Sequence, residues 1–216
     1  MHAHIPSSST SRFVKMGGRL VDIEKHFAFY GAYHSNPINV MIHVICVWPI
    51  FFSALLFLAF TSPLCPFPLP SGLVPFQQFM VMNWSFAGAS VYALFYAALD
   101  RKAGSLAAFL CLACWIGSNA LAQRLGFSLG WKVVLVSQLL CWTIQFIGHG
   151  VFEQRSPALL DNLFQALIMA PFFVVLEVLQ IVFNYEPYPG FRRNVRTNVE
   201  ANITAWREKS SSHKRR

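Results

Sequence analysis

The sequence predicts an all-α protein, a multi-pass transmembrane bundle of four to five hydrophobic helices. Hydrophobic residues make up 55% of the 216-residue chain and charged residues only 12%, about half the charged share of an ordinary soluble domain. So few charged groups cannot cover a soluble surface, which argues against a soluble enzyme. Five apolar runs approach the roughly 20 residues that cross a hydrocarbon core, at 39–61, 80–99, 104–122, 131–149 and 163–184.

Polar segments flank these runs and divide the chain into three parts. Residues 1–25 form a polar, basic N-terminal arm, residues 26–186 the helical membrane domain, and residues 187–216 a basic polar tail. We expect no cleavable signal peptide, because the first long apolar run begins only near Asn39. The net charge of +8 is typical of a membrane protein whose tail faces anionic lipid. Nucleic acid is not an expected partner, since no basic motif interleaved with aromatic residues accompanies the charge.

The distribution of Lys and Arg predicts the orientation of the runs, because short basic loops tend to remain in the cytosol. The N-terminal arm and the Arg101-Lys102 pair are then cytosolic, and the loop at 62–79 lies on the other side. The end of the fourth run, near His149, shares the cytosolic face with the start of the first run.

The fifth run breaks this pattern, because a full span there would place the basic tail on the lumenal side. The run also contains Pro171 and Glu177, which are unfavourable in a lipid-exposed span. We therefore favour four spans, with 163–184 as a re-entrant or interfacial helical hairpin and a cytosolic tail. Five full spans with a lumenal tail are the alternative.

Two histidines lie at the start of the first run. Asn36 followed by Pro37 predicts an N-cap and the first position of a helix. On that helix Asn39 and His43 share one face, four residues apart. A continuous helix would place His34 and His43 on opposite faces, but the Asn-Pro break allows the chain to turn and bring both imidazoles to one point.

A second cluster lies at the end of the fourth run. His149 and Glu153 are four residues apart, so one metal ion can meet both if the helix continues. Gln145 lies one turn earlier on the same face. Gly148 and Gly150 flank the histidine and leave room for a ligand or another helix.

Close packing of the first and fourth spans would join the two clusters into one site. Its predicted metal ligands and catalytic residues are His34, His43, His149 and Glu153. Imidazoles with a carboxylate suit Fe(II), although zinc accepts the same ligands. Hydrogen-bonded histidines at a membrane interface, without a metal, are the alternative interpretation. The predicted supporting residues around the ligands are Asn39, Gln145 and Glu177, the last because an ionisable group at membrane depth is a functional candidate.

The two clusters also carry a family resemblance, over about residues 20–190. The segments that carry it are Tyr33-His34-Ser35-Asn36-Pro37 with Asn39 and His43, then Gln145 to Gly150 with Phe152-Glu153 and Pro157-Ala158-Leu159, followed by Asp161-Asn162-Leu163 and Ala170-Pro171-Phe172-Phe173. This pattern resembles the yeast-type 2-hydroxy fatty acid dioxygenase family of the endoplasmic reticulum.

The resemblance implies an Fe(II)-dependent α-oxidation with O2 as the second substrate. A long-chain 2-hydroxy fatty acid from phytosphingosine breakdown would lose one carbon and yield a shorter fatty acid. The histidines essential to that family map to His34, His43 and His149, and Glu153 matches as a fourth position. Two other classes remain open from the residues alone. They are a non-catalytic lipid-binding or scaffold protein with structural histidines, and a transporter.

Overall fold

A computed structural model describes residues 22–65, 76–157, 159 and 161–214. Within these ranges the chain is almost entirely helical and contains no strand, which confirms the all-α prediction. Most of the N-terminal arm and the middle of the 62–79 loop lie outside the described residues. The helices are α1 (Ile23–Tyr33), α2 (Pro37–Ala59), α3 (Trp84–Leu99), α4 (Ala103–Ile147), α5 (Ala170–Phe183) and α6 (Phe191–Lys214), with π-helical turns at Gly148–Glu153 and Gln165–Met169.

In the part of the chain that the structure describes, three helical stretches are long and apolar enough to cross a membrane. They are Pro37–Ala59, Ala103–Glu153 and Gln165–Phe183, and α3 is a shorter apolar helix. The length and apolar composition of these helices therefore agree with the predicted transmembrane bundle.

The longest stretch, α4, contains a reversal of the chain at Gly126. The backbone dihedral angles there, φ 65° and ψ 168°, are not helical, and glycine adopts this region without steric cost. The second half of α4 then runs antiparallel to α2. Gln138 donates from Nε2 to the carbonyl oxygen of Ile50 at 2.9 Å, and Gly148, just after α4, lies against Asn39 near the start of α2.

Four antiparallel segments form the bundle: α2, α3 and the two halves of α4. At the start of α3, Asn83 donates from Nδ2 to the carbonyl oxygen of Ala59 at 3.2 Å. Ser85 and Ser118 place the first half of α4 antiparallel to α3, with 3.1 Å between their hydroxyl oxygens. We call the end of the bundle at which α2 begins the proximal end, and the end at which α2 finishes the distal end.

The fifth apolar run starts and finishes at the proximal end. Before it, Asp161 accepts a hydrogen bond of 2.5 Å from the hydroxyl of Tyr33, which closes α1. After it, the Tyr185 hydroxyl donates to Asp100, which follows α3, at 2.8 Å. Both ends of the run therefore lie near the same end of the bundle, and the interfacial or re-entrant placement stays a prediction.

Helix α6 packs against α1 and so lies at the proximal end as well. Asn194 and Asn198 each donate from Nδ2 to the carboxylate of Glu24 at 3.2 Å, and the hydroxyl of Tyr188 donates to the same carboxylate. The basic tail is therefore helical where it is described, and it shares an end of the bundle with both histidine clusters.

Candidate metal centre

The break between α1 and α2 places the first two histidines. Helix α1 ends at Tyr33, and Asn36 caps α2 by accepting a 2.9 Å hydrogen bond from the backbone N–H of Ile38. The predicted N-cap and helix start are confirmed. His34 occupies the turn before the cap, from which its ring reaches back over the first turns of α2.

His34, His43 and His149 meet at one point. Their potential ligand atoms all lie within 4.8 Å of one another. The ring centroids are 4.2 Å apart for His34 and His43, 5.0 Å for His34 and His149, and 4.9 Å for His43 and His149. The three side chains are 9%, 4% and 3% exposed. The structure thus brings together all three histidines that the sequence selected from opposite parts of the chain.

Close approach of the two parts depends on glycine. A Cβ atom on Gly148 would lie 2.5 Å from Oδ1 of Asn39, which is too close for a real side chain, and 3.2 Å from the side chain of Ile42, which is a tight contact. Any side chain at the position before His149 would therefore push Asn39 away from its present place, and glycine lets the π-helical turn lie directly against α2.

Hydrogen bonds to the backbone orient two of the imidazoles. Nδ1 of His34 lies 2.8 Å from the carbonyl oxygen of Tyr30, and Nδ1 of His43 lies 2.9 Å from that of Asn39. Because a carbonyl oxygen only accepts, each Nδ1 carries the proton and each Nε2 keeps a lone pair. This fixes the tautomer that binds a metal, a role that backbone carbonyls serve in many metal sites.

The cluster contains buried nitrogens without a hydrogen-bond partner. They are Nε2 of His34 and Nδ1 of His149. Buried polar atoms nearly always find a partner, so such atoms call for an explanation. A bound cation would explain these unpartnered nitrogens, and the donor set fits Fe(II) or another first-row metal ion.

Burial also sets the charge state of His34. Desolvation lowers the pKa of its imidazole well below the ordinary value, and the neighbouring His43 and His149 lower it further. The neutral form, which is the metal-binding form, is therefore favoured at neutral pH.

Glu153, the fourth predicted ligand, lies outside the histidine cluster. Its Oε2 accepts from the hydroxyl of Ser35 at 2.8 Å, and its Oε1 accepts from the backbone N–H of Asn36 at 2.7 Å and from Nδ2 of Asn39 at 3.2 Å. The carboxylate thus fastens the π-helical turn to the start of α2. It positions the segments that carry His34 and His149.

The predicted supporting residues differ in how close they come to the histidines. Asn39 holds His43 through its backbone carbonyl, as described above. Gln145 lines the cavity beside the histidines. Glu177 is an electrostatic neighbour of the Tyr30 hydroxyl, and the Tyr30 ring stacks on His34 with centroids 4.0 Å apart. Tyr30 therefore lies between Glu177 and the cluster.

A cavity of about 40 Å³ adjoins the three histidines. We call it the inner cavity. Sequence reasoning missed one of its polar residues, Gln165, which donates from Nε2 to Nδ1 of His26 at 2.7 Å. A polar amide inside the fifth apolar run was the available signal. The remaining lining residues include Phe29, Tyr30, Trp142, Gln145, Phe146, Pro157, Leu159, Ala166 and Ala170.

Comparison with known proteins agrees with this site. Residues 20–182, which contain all three histidines, match the family model described as 2-hydroxy-palmitic acid dioxygenase Mpo1-like. The chain belongs to the Mpo1-like family. Among Mpo1-like proteins, the 2-hydroxy-palmitic acid dioxygenase MPO1 of Saccharomyces cerevisiae is 34% identical over 164 residues, which cover 76% of this chain and 83% of the yeast protein. No solved structure matches the chain significantly.

Family membership confirms the resemblance seen in the two histidine clusters. It also supports a dioxygenase role for an Mpo1-like chain with this site. The histidine cluster is compatible with a metal centre, and the apolar helices with a membrane setting.

Proposed function

We propose that this protein is an Fe(II)-dependent dioxygenase that α-oxidises long-chain 2-hydroxy fatty acids to fatty acids one carbon shorter. The substrates would arise from phytosphingosine in sphingolipid breakdown, and the enzyme would act in the endoplasmic reticulum membrane. The observation that carries the proposal is the convergence of His34, His43 and His149 beside a cavity, in a chain whose yeast relative is named a 2-hydroxy-palmitic acid dioxygenase.

The three imidazoles are the groups that would hold the iron. Two of them are fixed in the metal-binding tautomer by backbone carbonyls, and Glu153 holds together the segments that carry His34 and His149. Iron bound there would supply the redox chemistry and coordination positions for the substrate oxygens and O2.

The overall reaction balances with no further reductant. A 2-hydroxy acid and one O2 give the acid one carbon shorter, one CO2 and one water, so the four electrons that O2 accepts all come from the substrate. This agrees with a site that needs only a metal ion. The role of the protein is to orient the hydroxy acid at the histidines and to limit access of water, for which Phe29, Phe146 and Leu159 provide apolar walls.

The proposed orientation places the histidines and both polar ends of the chain on the cytosolic side. Arg101 and Lys102 are exposed at the proximal end, and the basic helix α6 packs there through Glu24. Basic segments favour the cytosolic face. The sequon at Asn202 in α6 gives a simple check, because a cytosolic tail stays unglycosylated in microsomes.

Oxygen uptake tests the reaction. The purified protein is loaded anaerobically with Fe(II), and 2-hydroxypalmitate is added to air-saturated buffer. We expect one O2 consumed and one fifteen-carbon acid formed per substrate molecule, with no turnover of palmitate, which lacks the 2-hydroxyl group. A zinc-loaded sample should be inactive.

Two results would contradict the proposal. Uptake of O2 without the shorter acid would mean a different oxidation. Bound lipid without any uptake in the iron-loaded protein would favour the non-catalytic lipid-binding alternative.

A further inference from the structure

The inner cavity is too small for a long-chain substrate. Its volume of about 40 Å³ holds about three water molecules at 10–15 Å³ each. That is room for the polar head of a 2-hydroxy acid at most, and not for the carbons that follow it. The acyl chain must therefore leave the inner cavity.

A second cavity lies next to the inner cavity, on the other side of three shared residues. It has a volume of about 210 Å³ and shares the wall residues Trp142, Gln145 and Ala166 with the inner cavity. Beyond this shared wall, it is lined mainly by apolar side chains of α2, by Tyr92 of α3, and by Leu167 and Pro171. We call it the apolar cavity.

We infer that the apolar cavity binds the acyl chain of the substrate and that the shared wall is the passage between head group and chain. The inference rests on the proposed function for the identity of the head group. The carboxylate and hydroxyl lie in the inner cavity beside the histidines, and the chain passes Trp142 and Ala166 to run along α2.

Two buried amide side chains point to a polar ligand at the start of this path. Gln145 is 7% exposed and Gln165 is 6% exposed. Nε2 of Gln145 and Oε1 of Gln165 have no hydrogen-bond partner, and both residues line the inner cavity. One free donor and one free acceptor match a carboxylate, which accepts, and a hydroxyl group, which can donate.

The length of the path fits a long chain. From His43 in the inner cavity to Ala54 in the apolar cavity, α2 advances about 16 Å at 1.5 Å per residue. Carbon–carbon bonds of about 1.5 Å advance an extended zigzag chain by slightly less than their length, so roughly a dozen methylene groups span this path. Ala54 and Leu167 are exposed, so the apolar cavity opens onto the apolar outer surface, from which a lipid can enter.

A larger apolar groove near the distal end is the competing site. Its volume is about 860 Å³, and Phe52, Phe109, Leu112, Ala113 and Arg124 are among its lining residues. It shares no lining residue with the inner cavity. A chain lying there would leave its carboxyl end far from the histidines.

Photo-crosslinking of the metal-free protein tests where the chain lies. The probe is 2-hydroxypalmitate with a diazirine near its methyl end, and labelled peptides are mapped by mass spectrometry. We expect labels within the segments 47–54 and 166–171, with competition by unmodified 2-hydroxypalmitate. Labels confined to Phe109 and Leu112, or labelling that the unmodified acid does not reduce, would overturn the inference.

A chain-length test uses a matched pair of substitutions. Ala54→Phe fills the outer end of the apolar cavity, and Ala113→Phe makes the same change at an exposed position of the distal groove. In competition against the probe, Ala54→Phe should weaken the binding of 2-hydroxypalmitate at least tenfold relative to the binding of 2-hydroxyoctanoate, whose chain stops short of Ala54. Ala113→Phe should leave that ratio at its wild-type value, and a shift in Ala113→Phe alone would overturn the inference.

Because these binding tests need no iron, they separate the two proposals. Correct crosslinks in a protein that consumes no O2 after iron loading would support the acyl site and contradict the oxidation. Turnover of 2-hydroxypalmitate with crosslinks only in the distal groove would support the oxidation and contradict the acyl site.

Discussion

Both ends of the bundle contain buried polar side chains, but among the described residues those of the distal end have hydrogen-bond partners and several of those at the proximal end do not. There Asn83 donates to Oδ1 of Asn119 at 2.8 Å, and Asn119 donates to the carbonyl oxygen of Trp115 at 3.0 Å. At the proximal end, nitrogens of His34, His149 and Gln145 are buried without partners. A satisfied polar network stabilises one packing arrangement, whereas unpartnered buried groups call for an explanation, such as contact with a ligand.

The comparison predicts that equivalent truncations at the two ends have different consequences. A truncation at the proximal end should remove metal binding and turnover with little loss of stability. A truncation at the distal end should lower stability and leave the chemistry in place.

The largest effect is expected for His43→Ala. Loss of one of three proposed ligands should lower turnover of 2-hydroxypalmitate by about a thousandfold or more, equivalent to about 4 kcal/mol of transition-state stabilisation. The measurement is O2 uptake by the iron-loaded variant. Circular dichroism in detergent should show that the variant keeps the helical content of the wild-type protein. Near-normal turnover would contradict a role for His43 in the site.

Gln145→Leu should have the next largest effect. The substitution keeps the approximate volume but removes the unpartnered amide donor that faces the proposed carboxylate. Loss of a hydrogen bond to a charged group costs about 1.5–3 kcal/mol, so KM for 2-hydroxypalmitate should rise about ten- to a hundredfold. Steady-state kinetics should show kcat falling less than KM rises, and iron content should stay unchanged. An unchanged KM would exclude a role in binding the head group.

At the distal end, Asn119→Leu should affect stability and not function. The change leaves the buried Asn83 amide short of a partner, which costs about 1–3 kcal/mol. Thermal unfolding should begin at a lower temperature than in the wild-type protein, while iron content and the KM for 2-hydroxypalmitate stay the same. Loss of iron in this variant would mean that the two ends are not independent.

Glu153→Gln should have the smallest effect. The amide keeps the shape of the side chain, but the hydrogen bonds from Ser35 and Asn36 lose their charged acceptor. We expect a loss of about 1 kcal/mol, or about fivefold weaker iron binding, measured by competition with a chelator. Complete loss of iron would instead support the predicted role of Glu153 as a metal ligand.

The sequence predicted the histidine set because the signals are local. Asn36 and Pro37 identify the helix start, and the position of His149 at the end of the fourth apolar run places it at the same end of the bundle. The shared end follows from counting spans, which needs no knowledge of side-chain packing.

The direction of the Glu153 side chain could not be predicted in the same way. Four-residue spacing aligns side chains only on a regular α-helix, and the chain after Gly148 forms a π-helical turn instead. The wider i→i+5 pattern of such a turn changes the direction of Glu153 relative to His149. Long-range contacts with Ser35 and Asn36 then capture its carboxylate.

The apolar runs were found correctly, but their ends were not. Runs 104–122 and 131–149 imply an eight-residue loop between two helices. The structure reverses at the single residue Gly126 and keeps its neighbours helical. Gln165 stands out in the sequence only as a polar amide in an apolar run, and its contact with His26 and the inner cavity depends on tertiary packing.

Iron content tests the central claim most directly. Wild-type protein and the variants His34→Ala, His43→Ala, His149→Ala and Asn119→Leu are loaded anaerobically with Fe(II), desalted, and analysed by mass spectrometry for metal. The account predicts one iron per chain in the wild-type protein and in Asn119→Leu, and almost none in each folded histidine variant. Iron retained by all three histidine variants would contradict it.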